Sequence, residues 1–528
     1  MGTTEAGDHT VIFDHAREPV GIDFPDIFNV AVAFIDRHLA EARADRCAIR
    51  SVAGDISYRV LAENVARAAH VLTARGLRRG ERLVMVVKDC PEFFYIFWGS
   101  VKAGIVPVVL NTLLRAQDYR YYIEDCGCAG VVCSPDLAEP VFTACAAAAP
   151  PPPWQARTTE IVAAMAGAPA AFAPAPTGPL EDCFWLYSSG STGKAKGVVH
   201  VHRDMVVICQ RYGIGVAGIR EDDIVFCAGK LFFSFGFGGG MIFPLWAAAT
   251  TILCDEKSSA QMAFAMIERF HPTVYFAVPT LYAQQLHEIE QHPRDLGSIR
   301  RALSAGEALP AAIFQKWKDL TGIAILDGIG STEVLHIFVS NRPDDIRPGS
   351  SGRPVPGFEV KIVDEDDREL GANEIGVLMV KAQSNARCYW NNPEKTATTM
   401  RGAWLYTGDM YYVDDDGYYV NAGRCDDMIK VGAMWCSPIE IEGRLLEHPK
   451  LREAAVVGRR DDDGMIKPAA HIVLKNPDDA TEATIEELKQ HCKASLAGYK
   501  YPRWFHFVEQ LPKTATGKIQ RFRLREGD

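Results

Sequence analysis

Short apolar segments alternate with amphipathic helical segments along the first part of the chain, and this alternation restricts the fold most. Residues 55–73 have helical spacing, and RLVMVV at 82–87 has the composition of a strand. Residues 92–103 are helical again, and 106–110 are apolar. This order predicts an α/β fold with layered, largely buried strands.

An Ala/Pro-rich stretch at 144–179 interrupts the alternation. We interpret it as a surface excursion or a short helix between strands, because the same pattern resumes beyond it. Three further apolar segments predict strands at 274–279, 324–329 and 360–365.

A smaller unit is predicted after Gly423. The order strand, helix, strand, strand, helix over about a hundred residues is enough for a separate α+β domain. Its first helix is predicted to begin at Ser437, which can cap it, with Pro438 in the first turn and Glu440 completing a capping box. A second helix is predicted over 481–497.

Composition excludes several classes of protein. The 528 residues carry a net charge of −11, which disfavours a general nucleic-acid binder. The 14 cysteines are scattered without a CxxC pair, which favours reduced, mostly buried thiols in a cytoplasmic protein. No signal peptide and no membrane span are predicted.

A Gly/Ser/Thr/Lys loop lies between two apolar strands at 187–197 and predicts a phosphate cradle. Its glycines let backbone N–H groups approach an anion, and its hydroxyl and ammonium groups add donors. The spacing differs from a Walker A loop, and a flexible Gly/Ser loop is the alternative. The candidate residues are Ser188, Ser189, Gly190, Ser191, Thr192, Gly193, Lys194 and Lys196.

Four weaker motifs follow in order. DGIGSTE at 327–333 offers oxygen ligands that suit Mg²⁺, although for this segment alone a Gly-rich turn followed by a helix cap is the better interpretation. YTGD at 406–409 offers an aspartate for ribose hydroxyls. GRCDDMIKVG at 423–432 lies at the domain boundary, and PKTATGKI at 512–519 lies in a basic terminus. Singly, each could be a turn or a solvent-exposed segment.

Together, in this order, the motifs closely resemble those of the adenylate-forming superfamily, which includes acyl-CoA synthetases, luciferases and adenylation domains. The resemblance covers nearly the whole chain. It implies a large multi-layered N-terminal domain, residues 1–425, that binds ATP and an acid. It also implies a small mobile α+β C-terminal domain, residues 426–528.

The resemblance further implies that a carboxylate attacks the α-phosphate of MgATP to give an acyl-adenylate and pyrophosphate. The 188–196 loop would hold the β- and γ-phosphates, and Lys518 would bridge the α-phosphate and the carboxylate. The other implied nucleotide residues are Gly306 and Glu307 beside adenine, Asp327 in the same ATP site, Thr332 at the α-phosphate, Glu333 at Mg²⁺, and Asp409 and Arg424 at the ribose.

In such enzymes the small domain then rotates about a hinge, matched here by Asp426. Rotation would remove Lys518 and bring in Lys430 and Gly432, which line the approach of the coenzyme A thiol. A small polar residue or glycine commonly precedes the Gly432 position, whereas Val431 stands here. This departure affects the expected lining of the tunnel for the coenzyme A thiol, but not the expected reaction.

Further segments resemble the benzoate-CoA ligase branch, which implies a small, flat acid pocket. Matching positions are Ser234, Phe235, Ala305, Gly330, His336 and Ile337. Phe235 and Ile337 could instead be ordinary core, and His336 could be a structural histidine. Benzoate ligases usually carry Ala-Tyr where this chain has Ser234-Phe235, so we expect benzoate, a hydroxybenzoate, an aminobenzoate or a heteroaryl acid such as furoate.

The predicted function is therefore an AMP-forming aryl-CoA ligase of aromatic acid degradation, using ATP, Mg²⁺ and coenzyme A. An adenylation enzyme that loads a carrier protein is the main alternative. A luciferase-like oxygenase and a non-catalytic nucleotide-binding regulator are weaker ones. We expect no nucleic-acid or membrane partner, and a homodimer is a possible assembly.

Overall fold

The computed structural model describes residues 9–188, 195–431, 434–461, 465–513 and 519–525, without the side chains of Lys430 and Trp435. Within these residues, two large mixed sheets and a smaller antiparallel sheet form the N-terminal part, and a three-stranded sheet forms the core of the C-terminal part.

The largest sheet has nine strands, of which the six central ones are parallel. These strands are largely buried, as expected of a sheet covered on both faces. In spatial order they are Arg353–Pro354, Ile337–Ser340, Ile325–Gly330, Arg301–Ser304, Val274–Ala277, Ile224–Cys227, Thr250–Leu253, Cys47–Ser51 and Gly54–Ser57.

A seven-stranded sheet lies beside it and carries the predicted phosphate loop between two of its strands. Five strands are parallel, and the last two at one edge are antiparallel. In spatial order they are Cys388–Tyr389, Lys196–Val201, Asp182–Ser188, Val106–Val109, Arg82–Val86, Gly130–Cys133 and Gln155–Arg157.

Helices cover both sheets and begin where the sequence supplies caps. The Ser57 hydroxyl accepts a hydrogen bond from the Val60 N–H, and Ser259 caps another helix in the same way. The α-helices of this part are Arg37–Ala40, Tyr58–Ala74, Pro91–Lys102, Ala116–Cys126, Ala138–Ala147, Thr158–Met165, His202–Ile208, Ser234–Phe237, Phe243–Ala247, Ala260–Phe270, Pro279–Gln291, Ala311–Thr321 and Pro393–Thr399. Shorter π and 3₁₀ turns are Val32–Asp36, Pro135–Leu137, Cys209–Ile214, Gly238–Ile242 and Thr332–Val334.

An antiparallel sheet completes the N-terminal part and leads into the C-terminal part. Its strands are Glu359–Val363, Gly376–Lys381, Met400–Arg401, Trp404–Val413 and Tyr419–Arg424. A separate hairpin near the N-terminus pairs Ile12–Asp14 with Gly21–Asp23.

The C-terminal part has its own hydrophobic core. Its main sheet joins Leu451–Arg460, Ile466–Leu474 and Trp504–Phe507, and a hairpin pairs Ile429–Val431 with Met434–Cys436. Its helical segments are Pro438–Leu446, Pro477–Asp479, Glu482–Lys493 and Arg521–Arg525. The first of these helices contacts strand Tyr419–Arg424 and helix Ala311–Thr321 of the N-terminal part.

Most predicted elements are found within a few residues of their expected bounds, with three differences. Residues 55–57 belong to strand Gly54–Ser57, so the predicted helix begins at Tyr58. The Ala/Pro-rich stretch contains edge strand Gln155–Arg157, and the helix predicted over 481–497 ends at Lys493. Pairing with neighbouring strands, which local spacing does not reveal, explains the first two.

The helix predicted at Ser437 begins as expected, because the Ser437 hydroxyl accepts a hydrogen bond from the Glu440 N–H at 3.1 Å. The Glu440 carboxylate, however, accepts from Lys500 Nζ at 2.7 and 2.6 Å. A salt bridge within the C-terminal part therefore replaces the reciprocal half of the predicted capping box.

The cysteines agree with the expectation of reduced, mostly buried thiols. All fourteen are free, and ten of them are buried, including Cys126 and Cys128. Among the described residues, no helix is long and apolar enough to cross a membrane.

Candidate functional site

Two sheets meet where strand Asp182–Ser188 and strand Ile325–Gly330 reach their carboxyl ends. The Ser188 hydroxyl from the first strand donates to Glu333 Oε1 at 3.1 Å, just beyond the second strand. The Tyr389 hydroxyl donates to the same oxygen at 2.8 Å. The start of the predicted phosphate loop and the predicted magnesium ligand are therefore in direct contact, at the edge where α/β sheets bind ligands.

Lys196, at the other end of the phosphate loop, lies near Tyr389 and Glu333. Its Nζ lies 5.1 Å from the centroid of the Tyr389 ring, a cation–π distance. Burial lowers the pKa of Lys196, and the Glu333 charge opposes that effect. A partly desolvated ammonium beside a carboxylate suits binding of an anion together with a cation.

The turn Thr332–Val334 presents Glu333, and its backbone is held from outside the turn. The Thr332 carbonyl accepts from His200 Nε2 at 2.8 Å. The Glu333 carbonyl accepts from the Ala386 N–H at 2.7 Å, and the Val334 carbonyl accepts from the Ser384 hydroxyl at 3.0 Å. Three successive carbonyls are thus fixed by groups that are distant in sequence.

The predicted adenine border lies beside the next strand of the nine-stranded sheet. The Thr280 hydroxyl donates to Glu307 Oε2 at 2.6 Å, and Gly306 has φ +96°, a left-handed conformation that suits glycine. Asp327 is buried close to this loop, and burial raises its pKa to about 8. The Asp327 carboxyl is therefore largely protonated at neutral pH.

The predicted ribose residues face each other across a strand pair. Asp409 is directly opposite Arg424 in the register of their strands, and Arg424 Nη1 donates to Asp409 Oδ1 at 2.8 Å. The Asp409 charge raises the pKa of Arg424 above its usual range. The Arg424 side chain is about half exposed, so the pair can still turn toward a ligand.

The C-terminal part approaches the same region. Arg521 forms a bidentate hydrogen bond with Glu442, at 3.0 Å from Nη2 to Oε1 and 2.8 Å to Oε2. Although burial opposes it, the negative charges of Glu442, Asp427 and, more weakly, Glu307 raise the pKa of Arg521. The segment that follows the predicted catalytic lysine therefore lies within electrostatic range of the predicted adenine border.

Phe235 and His336, which are predicted to bind the acid substrate, are stacked, with ring centroids 5.6 Å apart and an interplanar angle of 19°. His336 Nε2 donates to the Phe235 carbonyl at 3.2 Å, and its Nδ1 has no hydrogen-bond partner among the described residues. Burial lowers the pKa of His336 to about 3, so the imidazole is neutral. Tyr212, Phe243 and Phe276 surround it with aromatic rings.

Glycines make room for this aromatic group. A Cβ at Gly238 would lie 2.2 Å from His336 Cδ2, and one at Gly239 would lie 2.9 Å from Phe276 Cγ. Real Cβ atoms do not approach that closely, so each position requires the missing side chain. The GFGGG segment therefore sets how far the rings can approach the strand ends.

The other residues predicted to bind the acid lie at or near the ends of strands in the nine-stranded sheet. Ala305 and Ile337 are fully buried in the main core, whereas Ser234 and Gly330 are half-buried. A Cβ at Gly330 would lie 2.6 Å from the His336 carbonyl oxygen. The structure thus places Phe235 and His336 together and leaves Ile337 packed as core.

Several predicted residues lie outside the described residues: Ser189, Gly190, Ser191, Thr192, Gly193, Lys194, Gly432 and Lys518. Lys430 is described only by its backbone, in strand Ile429–Val431. Asp426, the predicted hinge, is exposed in the turn after strand Tyr419–Arg424.

Two residues of the site were missed by the sequence reasoning. Neither Tyr389 nor His200 belongs to any of the motifs described above. Their contacts with Glu333 and Thr332 span 56 and 132 residues. The only signal in the sequence is that His200 lies between two valines of strand Lys196–Val201; the two-residue strand Cys388–Tyr389 offers none.

The fold and the site define a two-part α/β protein with a candidate phosphate loop and a carboxylate at the meeting point of two sheets. Residues 36–390 match the family model of AMP-binding enzymes, and residues 440–518 match that of the AMP-binding enzyme C-terminal domain. The chain belongs to the AMP-binding enzyme family.

Relatives extend the similarity over nearly the full length. The chain is 44% identical to a benzoate–CoA ligase of Thauera aromatica, over 97% of this chain and 99% of that protein. It is 41% identical to a 4-hydroxybenzoate–CoA/benzoate–CoA ligase of Rhodopseudomonas palustris, over 94% of each. The crystal structure of the anthranilate CoA ligase AuaEII with anthranoyl-AMP superposes with a TM-score of 0.92 at 40% identity, covering 96% of this chain and 98% of that one.

Proposed function

We propose that this protein is an aryl-CoA ligase that converts a small aromatic acid, ATP and coenzyme A to an aryl-CoA, AMP and pyrophosphate. One observation carries the proposal: a cluster of aromatic rings around a neutral histidine, His336, lies three residues along the chain from Glu333, the carboxylate at the start of the phosphate loop. Full-length relatives that are benzoate- and hydroxybenzoate-CoA ligases support it.

In the first half-reaction the acid's carboxylate attacks the α-phosphate of ATP, and pyrophosphate leaves. The 188–196 loop would hold the departing phosphates, with Lys196 supplying charge. Thr332 would contact the α-phosphate, Gly306 and Glu307 would border adenine, and Asp409 with Arg424 would hold the ribose. Asp327 would support the adenine side as a protonated carboxyl, because burial raises its pKa to about 8.

Magnesium fits the donor set. Mg²⁺ prefers oxygen ligands and is usually bound by one or two carboxylates together with substrate phosphates. Glu333 supplies such a carboxylate, and among the described residues no cluster of three or more His, Cys, Asp or Glu side chains offers an all-protein cage. The ion would neutralise charge on the transferring phosphate, and Ser188 and Tyr389 would orient its ligand.

For the C-terminal domain we propose residues 426–528, with residues 1–425 as the N-terminal domain. Lys518 would bridge the acid and the α-phosphate during adenylation. Rotation about Asp426 would then present Lys430 and Gly432 to the thiol of coenzyme A. One site could in this way meet two different charge demands in sequence.

For the acid we propose benzoate or a close hydroxy-, amino- or heteroaryl relative. Stacked Phe235 and His336 suit a flat ring, and His336 Nδ1 is a buried acceptor without a partner among the described residues. A ring hydroxyl or amino group would supply the missing donor, which removes the cost of leaving that nitrogen unpaired. The anthranoyl-AMP bound by AuaEII carries such an amino group.

The deciding experiment is a panel of acids assayed with ATP, Mg²⁺ and coenzyme A by release of AMP. We expect the highest kcat/KM among benzoate, 2- and 4-aminobenzoate, 3- and 4-hydroxybenzoate and 2-furoate. Octanoate and palmitate serve as controls, and a clear preference for either would overturn the aryl assignment.

The acceptor is tested in the same assay by replacing coenzyme A with a phosphopantetheinylated carrier protein. We expect product only with free coenzyme A, and faster loading of the carrier would favour the alternative. We also propose a homodimer without nucleic-acid or membrane partners in the cytoplasm, and light scattering of the pure protein measures the assembly.

A further inference from the structure

We propose that His200 and Asp204 are positioning residues that lock the turn bearing Thr332 and Glu333, and so set the affinity of the site for magnesium. The proposal rests on the proposed function, because it assumes that this turn serves MgATP. It concerns residues that touch neither substrate nor metal in the arrangement above.

The hydrogen-bond chain through His200 has a fixed direction. His200 is fully buried, with Nδ1 2.9 Å from Asp204 Oδ2 and Nε2 2.8 Å from the Thr332 carbonyl oxygen. A carbonyl oxygen can only accept, so the Nε2–H donates to Thr332, while Nδ1 forms a separate hydrogen bond with the Asp204 carboxyl group. Asp204 fixes the ring so that this N–H points at the turn, as carboxylates do for histidines in other sites.

The partners of His200 leave the ring little freedom. Asp204 Oδ2 also accepts from the Val201 N–H at 3.1 Å, which ties the carboxylate to the end of the strand. The Phe184 ring stacks on His200 with centroids 5.2 Å apart and an interplanar angle of 15°. Rotation of the imidazole would break two hydrogen bonds inside the core, where unpaired polar groups are costly.

The turn needs such a constraint because its backbone is strained. Leu335, which follows directly, has φ +79°, a conformation that branched and bulky residues rarely adopt. The Leu335 N–H donates to the Thr332 carbonyl at 3.0 Å, the same oxygen that His200 holds. Loss of the His200 bond would therefore release the carbonyl that closes the strained turn.

The link also joins the two halves of the site. His200 lies in strand Lys196–Val201, which begins at the end of the phosphate loop. It contacts the turn that connects strands Ile325–Gly330 and Ile337–Ser340 of the nine-stranded sheet. Movement of Glu333 relative to the loop would thus require the His200–Thr332 bond to break. The affinity for magnesium bound between the Glu333 carboxylate and the phosphates would depend on the distance between Glu333 and the loop.

Two quantities are measured in the full-length protein for His200→Gln, Asp204→Ala and Asp204→Asn. They are the Mg²⁺ dependence of aryl-adenylate formation from benzoate and ATP, and the Mg²⁺ dependence of ATP binding without the acid, measured by calorimetry. Both should shift in the same direction. We expect His200→Gln and Asp204→Ala each to raise the Mg²⁺ concentration at half-maximal rate about tenfold or more. Asp204→Asn keeps the shape of the side chain and its ability to hydrogen-bond with Nδ1 of His200, so it should stay within about threefold of the parent.

His38→Gln is the matched control. His38 is equally buried, with one ring nitrogen 2.8 Å from the Leu245 carbonyl oxygen, and takes no part in the described site. It should lower thermal stability without changing the Mg²⁺ dependence. Thioester formation from supplied benzoyl-adenylate and coenzyme A should stay unchanged in all four variants, since that step needs no magnesium–phosphate geometry.

The outcomes separate the two proposals. An unchanged Mg²⁺ dependence in His200→Gln and Asp204→Ala, with an active parent enzyme, overturns the positioning role alone. If the double variant His200→Gln/Asp204→Ala raises the required Mg²⁺ concentration by the product of the two single-variant factors, the two residues act independently. That result overturns their joint role. A parent that forms no adenylate from any aryl acid overturns the proposed function, and the positioning role falls with it.

Discussion

The proposed nucleotide side and the proposed acid side of the site are built from different interactions. Around Glu333, hydrogen bonds fix the carboxylate and three successive backbone carbonyls. Around His336, aromatic rings and glycines fix the space, and one ring nitrogen has no hydrogen-bond partner in the described part of the chain. The first arrangement holds polar groups at defined distances, whereas the second defines the volume available between the rings. We expect charge-changing substitutions to act on the first and volume-changing ones on the second.

The largest effect is expected for Lys518→Ala, which removes the charge that we propose bridges the acid and the α-phosphate. Loss of one group that stabilises the transition state typically costs about a hundredfold to a thousandfold in rate. Adenylation, measured by release of pyrophosphate, should fall by that factor, while thioester formation from supplied aryl-adenylate is spared. Lys513→Ala is the control, because Lys513 is paired with Glu453 at 2.6 Å. An equal loss in both half-reactions would contradict the division of roles.

A smaller effect is expected for Gly238→Ala, which adds volume to the acid side. The new methyl group would collide with His336, and overpacking of this kind costs about 1–3 kcal/mol. The KM for the acid should rise about tenfold while the KM for ATP stays constant. At Gly443 a Cβ meets nothing within 4 Å, so Gly443→Ala should leave both constants unchanged. A parallel rise in the KM for ATP would show that the two sides are not separable.

The smallest effect on activity is expected for Asp327→Asn, which tests how much charge the nucleotide side really carries. Because burial raises the Asp327 pKa to about 8, the folded protein favours the protonated carboxyl. The contribution of this group to stability is present below about pH 4 and is lost as pH rises toward 8. Asparagine mimics the protonated form, so KM for ATP at pH 7 should change less than twofold. The variant should unfold at a higher temperature than the parent above pH 8, and thermal scans from pH 5 to 9 measure this.

The sequence predicted the two-part α/β fold because local signals are strong where caps and apolar runs coincide. The start of the helix after Ser437 and the strands of the large sheet are examples. Edge strand Gln155–Arg157 escaped prediction, since its three residues gain their structure only from pairing with Gly130–Cys133. Short edge strands carry no periodicity of their own.

The site was predicted where a motif is contiguous and missed where it is assembled across the chain. Glu333 and Ser188 were expected to act in one site, and they do share a hydrogen bond. The roles of Tyr389 and His200 depend on contacts between different sheets, which spacing along one chain does not encode. The unpaired nitrogen of His336 likewise results from burial and from the aromatic rings packed around it.

The left-handed Leu335 separates Glu333 from the first residues of the acid pocket, and this has a consequence for how the specificity of such a protein can evolve. Strand Ile337–Ser340 begins two residues later, with side chains alternating between its two faces. Insertion or deletion of one residue there would exchange those faces and move the carboxylate from the phosphate loop. New acids should therefore be accommodated by replacing side chains at constant loop length.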